Sequence, residues 1–168
     1  MMMGIIPHLF ILGVDKMEIT FDMEGVNEAL RKFDQLNLFT RKEIIRQTAK
    51  STLQVEGDAK ENAPVDVGNL RGNIYSRFED GGLAGIVFTS PKYAPYVEFG
   101  RPAGRPPPSD ALAGWARRHG LKGLEYVIAR AIGDRGLPPQ PFLTPAFEAE
   151  KDNYIQEVTK IIKEMEGV

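Results

Sequence analysis

Hydrophobic and polar positions change period several times along the chain, and each change marks an element. Ile19 and Phe21 alternate with Glu18, Thr20 and Asp22, the period of a short half-buried strand, and Gly25 punctuates its end. From Val26 the period becomes helical, with Ala29, Leu30, Phe33 and Leu36 on the stripe of a first short helix. Asn37 to Thr40 interrupts it. Thr40 with Glu43 three residues on is a capping-box pair, so a long helix is expected to start there. Its stripe is Ile44, Ile45, Thr48, Ala49, Thr52, Val55 and Ala59, small and β-branched side chains suited to close packing on a sheet or another helix. Lys42, Arg46, Lys50, Gln54 and Glu61 fall elsewhere. Gly57 weakens this helix by about 1 kcal/mol relative to alanine. Pro64 ends it, because the residue before a proline is pushed out of the helical region.

The stretch from Ala63 to Gly100 is the organising centre. Asp66-Val67-Gly68 makes a turn, with Gly68 supplying any positive φ. Leu70, Ile74 and Phe78 are expected on one face of the next strand, and Arg71, Tyr75 and Arg77 on the other. Asp80-Gly81-Gly82 is a hairpin signal. Leu83 to Thr89 is the return strand, where Ile86, Val87 and Phe88 suggest burial on both faces, and Ser90-Pro91 stops it. Tyr93, Tyr96, Val97 and Phe99 crowd a corner closed by Gly100. They could form a ligand platform. The favoured expectation is a tertiary anchor pinning the corner to the helix, since aromatic side chains dominate core burial.

Residues 101–140 have a different texture. The run Arg-Pro-Ala-Gly-Arg-Pro-Pro-Pro is stiff and extended and unfit for a sheet interior. Ser109 or Asp110 caps a short helix carrying Leu112 and Trp115. Arg117, Arg118 and His119 sit in its last turn and Gly120 just beyond, the charge order a helix dipole favours. A second short helix is expected from about Leu124 to Ile132, followed by a loop through Gly133–Gly136 and Leu137-Pro-Pro-Gln-Pro. This segment reads as an insertion, too small for a core of its own. Thr144 as N-cap and Pro145 as first residue open a final helix with the stripe Phe147, Tyr154, Val158, Ile161, Ile162 and Met165. It should pack on the sheet or the long helix.

Composition narrows the class without naming a function. At 168 residues, 42% apolar and 26% charged, the chain has the length and balance of one globular domain, spanning residues 17–168. A net charge of −2 gives no global pull toward nucleic acid or anionic membrane. The absence of cysteine excludes disulfides, thiolate nucleophiles and thiolate metal sites. The apolar tract 5–14 is too short to span a bilayer and lacks preceding basic residues for a secretory signal. Residues 1–16 are read as an upstream-start extension or an arm, with Met17 opening the domain.

The sequence has no phosphate-binding G-x-x-x-x-G-K-[ST] loop, G-x-S-x-G elbow or H-E-x-x-H helix. His8 and His119 are its two histidines, and neither metal nor cofactor is expected. Asp66 and Glu98 bracket the central unit. If they met, repulsion would raise one pKa and offer an acid–base couple. The preferred reading has Asp66 bonded within its own turn and Glu98 paired with a cation such as Arg71 or Arg101. Between residues 101 and 122, Arg101, Arg105, Arg117, Arg118 and Lys122 face the single acid Asp110. A solvated face with dipole compensation is the expectation, and contact with a partner or with DNA phosphate is the sharper alternative.

Three blocks in order carry a resemblance. The first is Ala63, Pro64, Val65, Asp66, Gly68, Leu70, Arg71 and Ile74. The second is Tyr93, Ala94, Tyr96, Val97, Glu98, Phe99 and Gly100, and the third is Pro141, Phe142, Leu143, Pro145 and Ala146 before the last helix. Together they resemble the gene-product-ten-like tail-component family of tailed bacteriophages and prophages, whose members are minor tail, neck or tail-completion proteins. The resemblance runs from about Met17 to the end. Departures are Val67 and Arg101, where the family usually has threonine, and Asn73, where serine is usual nearby.

The resemblance implies an α+β fold: a small antiparallel sheet with a central hairpin, packed by a long helix and a C-terminal helix. It also implies a non-enzymatic virion protein made in the bacterial host cytoplasm. Its implied action is tail completion or head–tail joining as a homo-oligomeric ring. The implied partners are connector or adaptor, tail-tube and terminator proteins, with DNA near in the channel and no membrane. The alternative is a small nucleic-acid-binding module using residues 101–122.

Overall fold

The structure, a computed structural model, describes residues 17–21 and 38–166, with side chains over 38–164. The reading of a helix from Val26 and that of a 1–16 extension lie outside the described residues. In chain order the elements are strand β1 (Met17–Phe21), helix α1 (Leu38–Asn62), strands β2 (Ile74–Glu79) and β3 (Ala84–Thr89), and helices α2 (Ala94–Glu98), α3 (Ala113–Arg118), α4 (Glu125–Arg135) and α5 (Leu143–Glu166). The fold is α+β, as the sequence suggests.

The strands form one antiparallel sheet in the order β1-β3-β2. Met17 and Ile74 both pair with Thr89, and Phe21 and Phe78 both pair with Gly85. β3 is thus the central strand, and Ala84 to Val87 and Thr89 are buried, in keeping with its apolar sequence. The hairpin turn uses positive φ at three successive residues, Asp80 (50°), Gly81 (67°) and Gly82 (96°). Aspartate is among the few side chains that tolerate this region.

α1 and α5 pair antiparallel, which follows from three cross-links. Asn62 Nδ2 donates to the Phe142 carbonyl (3.4 Å), Ser51 Oγ to Glu150 Oε1 (2.6 Å), and Thr48 Oγ1 meets Tyr154 Oη (3.1 Å). Between the helices and the sheet lies the core of Val55, Ala59, Leu70, Ile74, Val87, Phe142, Leu143, Phe147, Tyr154 and Val158. Each of its large side chains contributes roughly 1.5–3 kcal/mol by leaving water. Glu56, on the sheet side of α1, accepts from Ser76 of β2 and from Lys60. Burial pushes its pKa up, but those two hydrogen bonds outweigh the effect and hold it below the usual value.

Several expectations are corrected. α1 already includes Leu38, so Thr40 is not an N-cap but a buried residue of the first turn. The buried stripe includes Gln47 and Ser51, whereas Ile45 and Ala49 are only half-buried, because α1 meets α5 through polar side chains as well as the sheet through apolar ones. Leu70 and Arg71 are not in a strand: residues 71–73 form a short 3-10 turn and β2 starts at Ile74. Leu70 is still buried, while Phe78 at the strand's far end is 44% exposed. Thr144 and Pro145 do not open α5, which begins at Leu143. α4 runs on to Arg135 and includes Gly133, assigned to a loop by sequence, because Gly133 packs on Pro106 where a side chain would not fit.

Residues 101–140 form a closed excursion. Arg101 and Leu137 exchange both backbone hydrogen bonds (2.9 and 2.8 Å) at its base, and Gly104 N donates to Gly133 O (2.7 Å) further out. The 3-10 turn Ser109–Leu112 packs on α3 and α4, and these pieces contact chiefly one another. Gly120, at φ 71°, follows α3 as expected.

Candidate functional site

The loop after α1, the corner around α2 and the start of α5 meet at one place. Pro64 ends α1, and Gly68 takes φ 77°, letting its carbonyl accept from Gly72 N (2.8 Å). The loop is tied to the corner by Asn69, whose Nδ2 donates to Tyr93 Oη at 2.8 Å. Asn73 in turn donates to the Asn69 carbonyl at 2.7 Å.

Glu98 is the deepest charged group of the corner, 2% exposed. Its Oε2 accepts from Phe142 N (2.8 Å) and Leu143 N (3.0 Å), and its Oε1 accepts from Thr144 N (2.8 Å). Pro145 has no N–H, so one carboxylate satisfies the N–H groups that precede it at the mouth of α5. Negative charge there also opposes the positive end of the helix dipole. The expectation that Glu98 pairs with a cation such as Arg71 or Arg101 is therefore corrected: three backbone N–H groups take its place. Phe142, 0% exposed, anchors the same junction from the core, while Pro141 beside it is exposed.

Gly100 closes the corner at φ 72°. A Cβ there would lie 2.6 Å from the Leu137 carbonyl oxygen, so the position requires glycine both for conformation and for space.

The aromatic side chains point the other way. Tyr93, Tyr96 and Phe99 are 43%, 50% and 49% exposed, whereas Ala94 is the fully buried residue of α2. The expectation of an aromatic anchor is corrected in part: Val97 packs against the core and Ala94 and Glu98 hold the corner with it, while the three rings stay about half exposed. Val65 and Val67, on the loop that Asn69 ties to Tyr93, are exposed as well. The site is a fixed backbone presenting apolar side chains.

Asp66 does not bond its own turn. It forms a two-pronged pair with Arg118 of α3, with Arg118 Nε at 3.1 Å from Oδ1 and the terminal nitrogen on Oδ2. The hydrogen bond from Arg118 lowers the Asp66 pKa, and Asp66 raises that of Arg118. No hydrogen bond joins Asp66 to Glu98, and their separate partners remove the motive for an acid–base couple. A concavity along α5, lined by Ile155, Gln156, Thr159, Lys160, Lys163 and Glu164, contains neither carboxylate.

The basic residues of the excursion are not equivalent. Arg118 is committed to Asp66, and Arg101 donates to the Arg105 carbonyl. Arg105, Arg117 and Lys122 are exposed. Arg71 is exposed too, beside the loop. Trp115 stacks on His119, ring centroids 4.3 Å apart, which occupies the imidazole within its own helix end. Among the described residues no group of three His, Asp or Glu side chains is arranged to hold a metal ion.

Sequence reasoning missed Asn69 and the capping role of Glu98. The latter had a signal: an acid flanked by apolar residues, three positions after a proline, in a helix too short to leave it solvated.

Residues 26–100 match the family model described as "Bacteriophage HK97-gp10, putative tail-component". No curated protein and no solved structure gives a match. The match contains the first two sequence blocks and ends at Gly100, so the third block lies beyond it, although Phe142 and Leu143 of that block bind Glu98 directly. Through residues 26–100, somewhat under half of its length, the protein is similar to the HK97-gp10-like family of putative bacteriophage tail components.

Proposed function

We propose that this protein is a structural virion component of a tailed phage or prophage, acting in tail completion or head–tail joining by ring-forming assembly. It is made in the host cytoplasm, has no enzymatic step, and docks on connector or adaptor, tail-tube and terminator proteins. One observation carries the reading. Within the matched segment, Tyr93, Tyr96 and Phe99 face solvent from a corner held beneath by Ala94 and Glu98. Exposed aromatics on a rigid backbone suit a docking surface, because little ordering is left to be done on binding and each ring adds apolar area. A ring needs two different, complementary faces per subunit that close on rotation, and the corner is open to a neighbouring copy or to another virion protein.

Particle assembly in the producing phage or prophage tests this. Deleting the gene should give heads and tails that fail to mature into joined particles, and purified wild-type particles should contain the protein by mass spectrometry. Tyr96→Ala with Phe99→Ser should fold normally yet fail to complement. Full complementation by that variant, or absence of the protein from particles, overturns the reading.

A further inference from the structure

We infer that residues 101–140 are an arm that docks on the acid-rich α5 of a neighbouring copy of this chain, so that copies join head to tail. The inference rests on the ring-forming reading and names the two complementary faces that such a ring requires.

Charge is segregated along the chain. Residues 101–140 hold seven of the 21 Lys and Arg but three of the 23 Asp and Glu, an excess of four positive charges. The rest of the chain therefore carries an excess of six negative charges. α5 concentrates part of it, with six acids against three lysines. Glu150 is buried among its own donors, but Asp152 is exposed one turn on from Glu148, which is exposed too and lies 3.7 Å from Lys151. Opposite charges held on separate parts of one polypeptide favour contact between copies wherever a copy cannot satisfy itself. Between arm and body it does so at one place among the described residues, Asp66–Arg118, while Arg130–Asp134 and Lys151–Glu148 pair within the arm and within α5. Arg117 and Lys122 remain exposed to solvent.

The arm also carries apolar surface that its own fold leaves uncovered. At the start of α4, Leu124, Tyr126 and Val127 are 46%, 70% and 60% exposed, next in sequence to Lys122. Backbone phosphates would gain nothing from covering two aliphatic side chains, whereas a protein surface would remove them from water at about 25 cal/mol per Å². The combination of cations and aliphatic side chains favours a protein over DNA. The acidic remainder of this same chain is the complementary surface on the page. Because arm and α5 are different patches, each copy offers one of each, which is the heterologous contact that closes rings or continues as a filament.

Sedimentation velocity of the full chain over a range of concentrations at low and high salt tests the inference. Three charge-reversal proteins are compared with wild type: Arg117→Glu with Lys122→Glu, Glu148→Lys with Asp152→Lys, and all four together. These positions are exposed, and circular dichroism with thermal melting checks that each variant folds. Wild type should self-associate at low salt and weaken as salt rises. Either pair alone should weaken association by about tenfold or more, and the fourfold variant should recover most of it. Tyr126→Ala with Val127→Ser should weaken it at both salt concentrations. A wild type that stays monomeric throughout, or a fourfold variant no better than the single pairs, overturns the inference. So does binding of a 30-base-pair duplex through Arg117 and Lys122 without self-association. Association abolished by Tyr96→Ala with Phe99→Ser but indifferent to the arm variants would remove the arm and leave ring assembly standing.

Discussion

Glu98 Oε1 accepts the backbone N–H of Thr144 at 2.8 Å, across 46 residues of sequence. A carboxylate in α2 thus does for α5 what an adjacent capping residue ordinarily does. Glu98→Ala would leave the Phe142, Leu143 and Thr144 N–H groups without their acceptor in a buried place. Hydrogen bonds to a charged group contribute roughly 1.5–3 kcal/mol, so a loss of about 2–3 kcal/mol is expected in urea denaturation. Glu98→Gln should recover only part of it, since its amide nitrogen would face a backbone donor. A change below about 0.5 kcal/mol in Glu98→Ala would mean that the cap is dispensable.

The elements themselves were legible because local chemistry writes them. Pro64 and Gly68 set the exit from α1, Asp80-Gly81-Gly82 sets the hairpin, and the apolar run of β3 announces its central place. What stayed hidden depends on contacts between distant residues. A helix start is normally read from its own first turn, and Thr144-Pro145 looked sufficient. The cap is instead supplied from Glu98, so α5 could begin earlier, at Leu143. Likewise the aromatic corner read as core because burial is the usual fate of such rings. Nothing local says that the small Ala94 takes the buried position and turns the rings outward.

Gly85 records how closely α1 approaches the sheet. A Cβ there would lie 1.8 Å from Thr52 Oγ1 and 2.9 Å from Thr52 Cβ. Gly85→Ala should therefore force α1 away from β3, with a cost of about 1–3 kcal/mol typical of overpacking. Thr52→Ala removes the nearer atom, so Gly85→Ala should cost less in the Thr52→Ala background than in wild type. Equal costs in the two backgrounds, read by a double-mutant cycle of chemical denaturation, would place the strain elsewhere.

The α1–α5 seam contains a buried acid satisfied by two donors. Glu150 Oε1 accepts from Ser51 Oγ (2.6 Å) and from Asn153 Nδ2 (2.8 Å), and Glu150 is 9% exposed. Ser51→Ala would remove one donor and leave the carboxylate in place, at a cost of about 1–3 kcal/mol. Ser51→Ala combined with Glu150→Leu should be less destabilising than Ser51→Ala alone, because an apolar pair of similar volume has no charge to satisfy. A combined variant that is the less stable of the two would show the polar seam to be required for packing as well.

Asp66 and Arg118 give the clearest pH signature. The hydrogen bond from Arg118 places the folded pKa of Asp66 below 3.8, its ordinary value. The pair's contribution is therefore fully present above about pH 4, the unfolded range for aspartate. It is lost as pH falls through the lower folded pKa. Arg118 is shifted upward from an already high value, so it stays charged throughout. In an NMR titration the Asp66 carboxyl should show a midpoint below the ordinary aspartate value, moving up toward it in Arg118→Ala. High salt should shrink the difference, as befits an exposed pair. Global stability should barely respond to Arg118→Ala, while backbone amide shifts in α3 should move below the same midpoint, since this pair ties α3 to the loop at Asp66. A wild-type midpoint at or above 3.8 would mean that the pair does not hold in solution.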